Sequence, residues 1–286
     1  MSVVWIDGKY YDRATAAVSV FDHGLLYGDG VFEGVRVYNR RIFRLDRHVE
    51  RLYASAKAIW LDIPMGRPEM ARMVEEAVGK SGLADAYIRL VVTRGVGDLG
   101  LDPRKCPKPS IICIVDRIAL WSADRYDGGL TALTAATPIN HRESLSPRVK
   151  SLNYLSHILA KIEGIAAGVD EVIMLDATGY VAEASGMNLF CVTQGTLRTP
   201  PPYAGILRGV TRDAIIEVAR EATYGIEELP LNRYDLYTAD EMFLTGTAAE
   251  VVAISRLDGR VIGSGGAGPV TRDLTARFRA LVTRAD

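Results

Sequence analysis

The sequence predicts a mixed α/β chain, of the α+β kind, in two domains. Three observations lead there. The first is length: 286 residues are nearly twice the roughly 150 residues of a common domain. The second is pattern. Strand-like and helix-like segments both occur, without the regular strand–helix–strand alternation of a doubly wound sheet. The third is a break near the middle, where residues 119–128 (ALWSADRYDG) are polar, aromatic and unpatterned. That stretch reads as a linker between a smaller domain, 1–118, and a larger one, 129–286.

Taken in order, Val3–Ile6 and Tyr10–Tyr11 flank Asp7-Gly8, a strong hairpin-turn pair. Val31–Tyr38 and Arg41–Arg44 form a second expected hairpin through Asn39-Arg40. From Asp46 to Trp60 the apolar residues Val49, Leu52, Tyr53, Ala56, Ile59 and Trp60 recur at helical spacing, with Asp46 as the expected cap. A second helix is expected over about 68–80, ended near Gly82. Tyr87–Thr93 and Ser110–Val115 read as buried strands. In the second domain a strand is expected at Leu130–Ala135 and a helix from about Leu152 to Ala167. Strands Glu171–Asp176, Tyr180–Glu183 and Asn188–Val192 follow, then a helix at Thr211–Glu221. Glu241–Thr245 and Val251–Ser255 are expected strands, Asp258-Gly259 a turn, and about 269–282 a final helix.

Composition excludes several classes. Net charge is −1, from 34 Lys+Arg against 35 Asp+Glu, so no basic field argues for nucleic acid. No apolar run approaches the ~20 residues of a membrane helix. The opening MSVVWIDGKYYD carries acids and a turn, unlike a signal peptide. Cys106, Cys113 and Cys191 are odd in number and form no CxxC pair, which suggests reduced thiols and a cytoplasmic location. The four His make no tight ligand pair, so no metal site is expected. The cations, by contrast, are unevenly made: 27 Arg and 7 Lys. Arg is a permanent planar fork for carboxylate or phosphate, whereas Lys can lose its proton and act as a nucleophile.

Gly95, Gly97 and Gly100 satisfy G-x-G-x-x-G after a strand. A dinucleotide site needs a helix next, and Pro103, Pro107 and Pro109 forbid it. A flexible loop is the better reading. Elsewhere, three features carry weak signals one by one. Lys150 follows a proline-interrupted loop, with Tyr154 four residues on, so that the two could share a helix start. Glu183 sits in a strand segment. Leu207-Arg208-Gly209-Val210-Thr211-Arg212 opens a helix, whose free amides and Thr hydroxyl suit an anion.

Together these features resemble the signature of the class IV aminotransferases. Glu183, Ser185, Asn188, Leu189, Phe190, Leu197, Thr199, Leu207, Gly209, Val210 and Arg212 fit its spacing. So do Tyr27-Gly28-Asp29-Gly30-Val31-Phe32-Glu33-Gly34-Val35-Arg36, Lys150–Tyr154 and Gly246-Thr247-Ala248-Ala249-Glu250, and the resemblance spans nearly the whole chain. It implies a fold-type IV enzyme that depends on pyridoxal 5'-phosphate, with the cofactor between a small N-terminal and a large C-terminal domain. Lys150 would hold the cofactor as a Schiff base and later shuttle the substrate's proton. Glu183 would pair with the pyridine nitrogen, and Tyr154 would hydrogen-bond the phenolic oxygen. Arg51, Gly209, Val210, Thr211 and Thr247 would take the phosphate.

Within the family, Val31–Arg36 and Tyr87-Ile88-Arg89 resemble the branched-chain amino acid aminotransferases. The resemblance implies a ping-pong transfer from L-leucine, L-isoleucine or L-valine to 2-oxoglutarate. D-amino acid or R-amine transamination and aminodeoxychorismate lysis are the alternatives. Phe32, Tyr27 and Tyr154 would line an apolar pocket. Tyr87, Thr247 and Ala248 would hold the α-carboxylate, and Arg89 would meet the γ-carboxylate of glutamate. Arg36 also stands where an anion must be held. Small amino and 2-oxo acids would be the partners. The Gly97–Pro103 loop, with Leu101, would serve the neighbouring subunit of a homodimer or larger homo-oligomer.

Overall fold

The computed structural model describes residues 2–284. These fall into two compact units: the chain up to Ile118 together with Val149–Asn153, and Ala119–Arg148 together with the chain from Tyr154 onward. The first unit thus reclaims a five-residue segment from the early part of the expected second domain. The expected linker is also partly ordered, because residues 123–128 form a short helix. Tyr126 of this helix and Trp121 just before it meet edge to face, at 5.9 Å, on the second unit's core.

In the first unit, β1 (Val3–Ile6) and β2 (Lys9–Tyr11) form the hairpin at Asp7-Gly8. A short helix, α1 (His23–Tyr27), precedes β3 (Gly30–Tyr38) and β4 (Arg41–Ile42). Asn39 and Arg40 both take positive φ, as a tight hairpin turn requires. Then come α2 (Leu45–Ala58), α3 (Arg67–Ser81), β5 (Ala86–Thr93) and β6 (Ser110–Asp116). The six strands form one antiparallel sheet in the order β2-β1-β6-β5-β3-β4. Successive side chains alternate between its faces. Val31, Val35 and Val37 of β3, with Ala86, Ile88, Leu90 and Val92 of β5, join Val49, Leu52 and Ala56 of α2 in one core. Arg44 rather than Asp46 precedes the first turn of α2, with no side-chain cap; Asp46 lies inside that turn, where its charge suits the helix dipole. The helix ends before Trp60, which takes positive φ and is exposed instead of buried.

The second unit runs α4 (Ala123–Gly128), β7 (Leu130–Thr134), α5 (Leu155–Ala166), β8 (Glu171–Leu175), β9 (Val181–Ala184), β10 (Asn188–Thr193) and β11 (Thr196–Thr199). It continues with α6 (Val210–Glu221), β12 (Ile226–Glu228), α7 (Arg233–Tyr237), β13 (Glu241–Gly246), β14 (Glu250–Leu257), β15 (Arg260–Val261) and α8 (Pro269–Thr283). Its sheet has the order β12-β11-β10-β13-β14-β7-β8-β9, with β15 on β14, and mixes parallel with antiparallel pairs. Phe190 of β10 and Phe243 of β13 are cross-strand partners whose buried rings stack at 5.1 Å. Such a pair is worth about 0.5–1.5 kcal/mol beyond the area it buries. α1, β11, β12 and α7 are too short to leave a periodic signal in sequence.

Candidate active site

The site residues expected from sequence divide between the units. Lys150 belongs to the first. Its segment is extended, not helical: Ser151 bridges Val31, the Phe32 amide donates to the Lys150 carbonyl at 2.9 Å, and the Leu152 amide donates to the Gly30 carbonyl. On its other side the Lys150 amide donates to the buried Ser55 hydroxyl at 3.2 Å. The expected helix start shared with Tyr154 is therefore absent. The Leu152 amide is taken by β3, the Ser151 amide by the Val149 carbonyl and the Asn153 amide by the Ser151 hydroxyl, so α5 begins only at Leu155, preceded by Tyr154.

Side chains around Lys150 come from the sheet face opposite the core. Phe32, Gly34 and Arg36 of β3 stand beside Val91, Arg89 and Tyr87 of β5, pair for pair. The Lys150 ammonium lies 4.6 Å from the centre of the Phe32 ring, and the Arg89 guanidinium carbon lies at 4.6 Å from the same centre. Arg89 also donates to the Tyr87 hydroxyl at 3.3 Å, and among the described residues no carboxylate pairs with it. Arg36 lies over Tyr38 on this strand. Gly34 has a steric reason: a Cβ there would stand 1.9 Å from the Tyr87 oxygen. Tyr27 is placed differently from Phe32. It is exposed, stacks edge-on against His23, and donates to the Leu99 carbonyl at 2.6 Å. It therefore fastens the Gly97–Pro103 loop, as His23 does through the Asp98 carbonyl at 2.7 Å.

Arg51 lies on α2 at the spacing of a polar stripe, His48, Arg51 and Ser55. Its Nε and Nη2 donate to the two oxygens of Glu33, each at 2.7 Å, while His48 Nδ1 lies 2.8 Å from Oε2. Glu33 and His48 are buried. Burial alone would raise the Glu33 pKa, but the Arg51 charge and the hydrogen bonds from Arg51 and His48 outweigh it, holding it at about 2. Burial lowers the His48 pKa, and its contact with Glu33 offsets only part of that; Arg51 and Lys150 push it further down. The imidazole is neutral, and its Nδ1 carries the proton, because an ionised carboxylate only accepts. Sequence reading alone does not single out Glu33, His48 and Ser55 as site residues. A signal exists: His48 and Ser55 are polar at positions where helical spacing calls for apolar ones.

The second unit gathers the rest. Glu183 is buried on β9, and its Oε2 accepts from Asn188 Nδ2 at 3.0 Å and from the Leu207 amide at 3.1 Å. Asn188 Nδ2 also reaches the Leu207 carbonyl at 2.8 Å. Gly209 precedes α6, and a Cβ there would stand 2.1 Å from Asn188 Oδ1. The bare backbone at the α6 start and the Glu183 cradle are thus parts of one packing arrangement. The amides of Val210 and Thr211 fall in the first turn, where helical amides lack intrahelical acceptors. Arg212 points away, donating to the Pro200 carbonyl and to Glu228. The Tyr154 ring stacks on His157 at 4.5 Å, and His157 Nδ1 lies 2.9 Å from the Ser185 carbonyl. Ser185 in turn donates to Glu171. Thr247 and Ala248 form the turn between β13 and β14, and both are half-buried.

Each unit by itself offers groups that a phosphorylated pyridine needs: the first an amine and an arginine fork, the second a cradled carboxylate that could meet a ring nitrogen and a helix start that could meet a phosphate. Among the described residues no group of His, Cys, Asp and Glu could hold a metal ion, and no helix is long and apolar enough to cross a membrane. The family profile of class IV amino-transferases matches residues 30–257. A protein of Methanocaldococcus jannaschii with the provisional name branched-chain-amino-acid aminotransferase is 50% identical over 282 residues, covering 98% of this chain and 96% of its own length. The branched-chain-amino-acid aminotransferase of Pseudomonas aeruginosa is 39% identical over 98% of this chain and 93% of its own. A solved structure of the Thermobaculum terrenum branched-chain amino acid aminotransferase, in its PLP-bound holo form, matches with a TM-score of 0.89 at 30% identity, over 98% of this chain and 93% of that one. This chain therefore belongs to the class IV aminotransferases.

Proposed function

We propose that the protein moves the amino group of L-leucine, L-isoleucine or L-valine to 2-oxoglutarate, with pyridoxal 5'-phosphate as cofactor, in the two halves of a ping-pong cycle. The observation that carries this reading is the setting of Lys150. Its main chain is tied to β3 and Ser55, and its amine stands over Phe32 on the face that also holds Tyr87 and Arg89. When bound, the cofactor withdraws electrons from the substrate's Cα, which makes that proton removable.

The chain's own residues would do the rest. Lys150 would anchor the cofactor covalently, and its Nζ would take the proton from the substrate Cα. Glu183 would keep the pyridine nitrogen protonated, and Tyr154 would hold the phenolic oxygen. Arg51, Gly209, Val210, Thr211 and Thr247 would bind the phosphate. Phe32 supplies apolar surface for a branched side chain. Tyr87, Thr247 and Ala248 would hold the α-carboxylate, while Arg89, and Arg36 further along the same face, would meet the side-chain carboxylate of glutamate. One face that offers both an aromatic ring and an arginine suits an enzyme that must accept apolar and anionic side chains in turn.

A homodimer or larger homo-oligomer belongs to the same proposal. α5 carries a continuous exposed apolar stripe, Leu155, Ile158, Leu159, Ile162 and Ile165, with Leu155 67% exposed. Leu99 and Leu101 of the fastened loop are exposed as well. A second copy covering these surfaces would remove them from water. The cytoplasmic location read from the cysteines is also part of the proposal. The test is a single-turnover measurement. The cofactor-loaded enzyme, mixed with L-leucine and no acceptor, should release one 4-methyl-2-oxopentanoate per site and then stop. Release without limit, or none, would overturn the ping-pong reading.

A further inference from the structure

We infer that Glu33, backed by His48, is a positioning residue for the cofactor's phosphate: it aims the Arg51 guanidinium without touching the ligand. The inference rests on the proposed phosphate role of Arg51 and goes one residue beyond it.

Glu33 occupies a position that the strand's alternation assigns to the core. Val31, Val35 and Val37 point the same way and are buried with it. Glu33 itself is 0% exposed. A carboxylate in such a place is costly unless charge and hydrogen bonds compensate it. Here three N–H groups do so, two from Arg51 and one from His48. An apolar residue would satisfy the fold at this position, so packing alone gives the carboxylate no reason.

The geometry supplies one. An arginine side chain is rich in rotamers, and a fork–fork pair with a carboxylate fixes its plane. Glu33 takes the Nε edge of Arg51, and with it the orientation of the whole guanidinium. The carboxylate is itself held, because His48 binds Oε2 from the α2 turn that precedes Arg51. One helical face thus carries the prop (His48), the cation (Arg51) and, through Ser55, the hydrogen bond that fixes the Lys150 main chain. The phosphate cation and the anchor lysine are set by the same helix.

The test compares binding of pyridoxal 5'-phosphate and of pyridoxal, which lacks the phosphate, to the apoenzyme. Fluorescence quenching gives Kd for each, and the ratio isolates the phosphate's share. Arg51→Gln should cut that ratio at least tenfold; no change would overturn the underlying role of Arg51. Glu33→Gln should cut the ratio to a similar extent while leaving pyridoxal binding within about twofold. The double variant should then be no worse than Arg51→Gln alone, because coupled residues fail to add. If Arg51→Gln lowers the ratio but Glu33→Gln leaves it unchanged, or raises it, Glu33 is only a counter-charge and the inference falls. Glu33→Asp guards against a folding failure. It keeps the charge but shortens the reach by one methylene, so it should fold and still lower the ratio. A parent-like ratio in Glu33→Asp, with Glu33→Gln unfolded, would also overturn the inference.

Discussion

Replacing Asn188 with alanine should slow the chemical step more than any loss of packing explains. Asn188 donates to Glu183 Oε2 beside the Leu207 amide, and also reaches the Leu207 carbonyl. A hydrogen bond to a charged group is worth about 1.5–3 kcal/mol, whereas the Leu207 carbonyl is only half-buried, so water can replace its lost partner. Stability should therefore fall by about 1.5–3 kcal/mol, read from urea unfolding. If the lost bond is one that holds Glu183 in its working orientation, about 1.5–3 kcal/mol reaches the barrier, which is roughly a tenfold to hundredfold loss. Stopped-flow single turnover of L-leucine at saturating cofactor measures it. Gly209→Ala presses on the same amide from the other side, with a Cβ 2.1 Å from Asn188 Oδ1, and should act in the same direction. A single-turnover rate within twofold of the parent, in an Asn188→Ala protein destabilised as expected, would refute the reasoning.

Three further outcomes follow from the first unit. Gly34→Ala places a Cβ 1.9 Å from the Tyr87 hydroxyl oxygen; Tyr87 must move, and KM for L-leucine and for glutamate should both rise, while equal KM values would show that Tyr87 does not hold the shared carboxylate. Arg89→Ala should raise KM for glutamate at least tenfold more than KM for L-leucine, whereas equal losses would make Arg89 structural. Acid should weaken the fold in two stages. Protons that bind the unfolded chain more readily than the native one draw the equilibrium toward unfolding as pH falls. His48, with its pKa lowered from 6.5, contributes loss from about pH 6.5 downward, and Glu33, lowered from 4.5 to about 2, contributes between those two values. The stability gap between the parent and Glu33→Gln should shrink as pH falls below 4.5; a constant gap would contradict the buried ion pair.

Much of this was legible in the sequence. The alternation of β5 announced that Tyr87 and Arg89 share a face, and Asp7-Gly8 and Asn39-Arg40 announced their hairpins. The helical period found α2 and placed Arg51 on it. The misses have physical causes. Lys150 and Tyr154 stand at i and i+4, yet the Lys150 carbonyl and the Leu152 amide are bonded to β3, and local spacing cannot see a partner so far away along the chain. Asp46 has good capping chemistry, but the chain enters α2 earlier, through the left-handed Arg44. In sequence, Glu33 reads as one more residue of a family motif. Its meaning came from three donors on a helix that only the folded chain brings to it.

The central claim is tested most directly by a donor panel with 2-oxoglutarate as acceptor, run on the cofactor-loaded enzyme and on Lys150→Ala. L-leucine, L-isoleucine and L-valine should each yield glutamate at rates at least a hundredfold above D-alanine, and Lys150→Ala should yield none. Faster turnover of D-alanine than of L-leucine, or undiminished turnover without Lys150, would contradict the account.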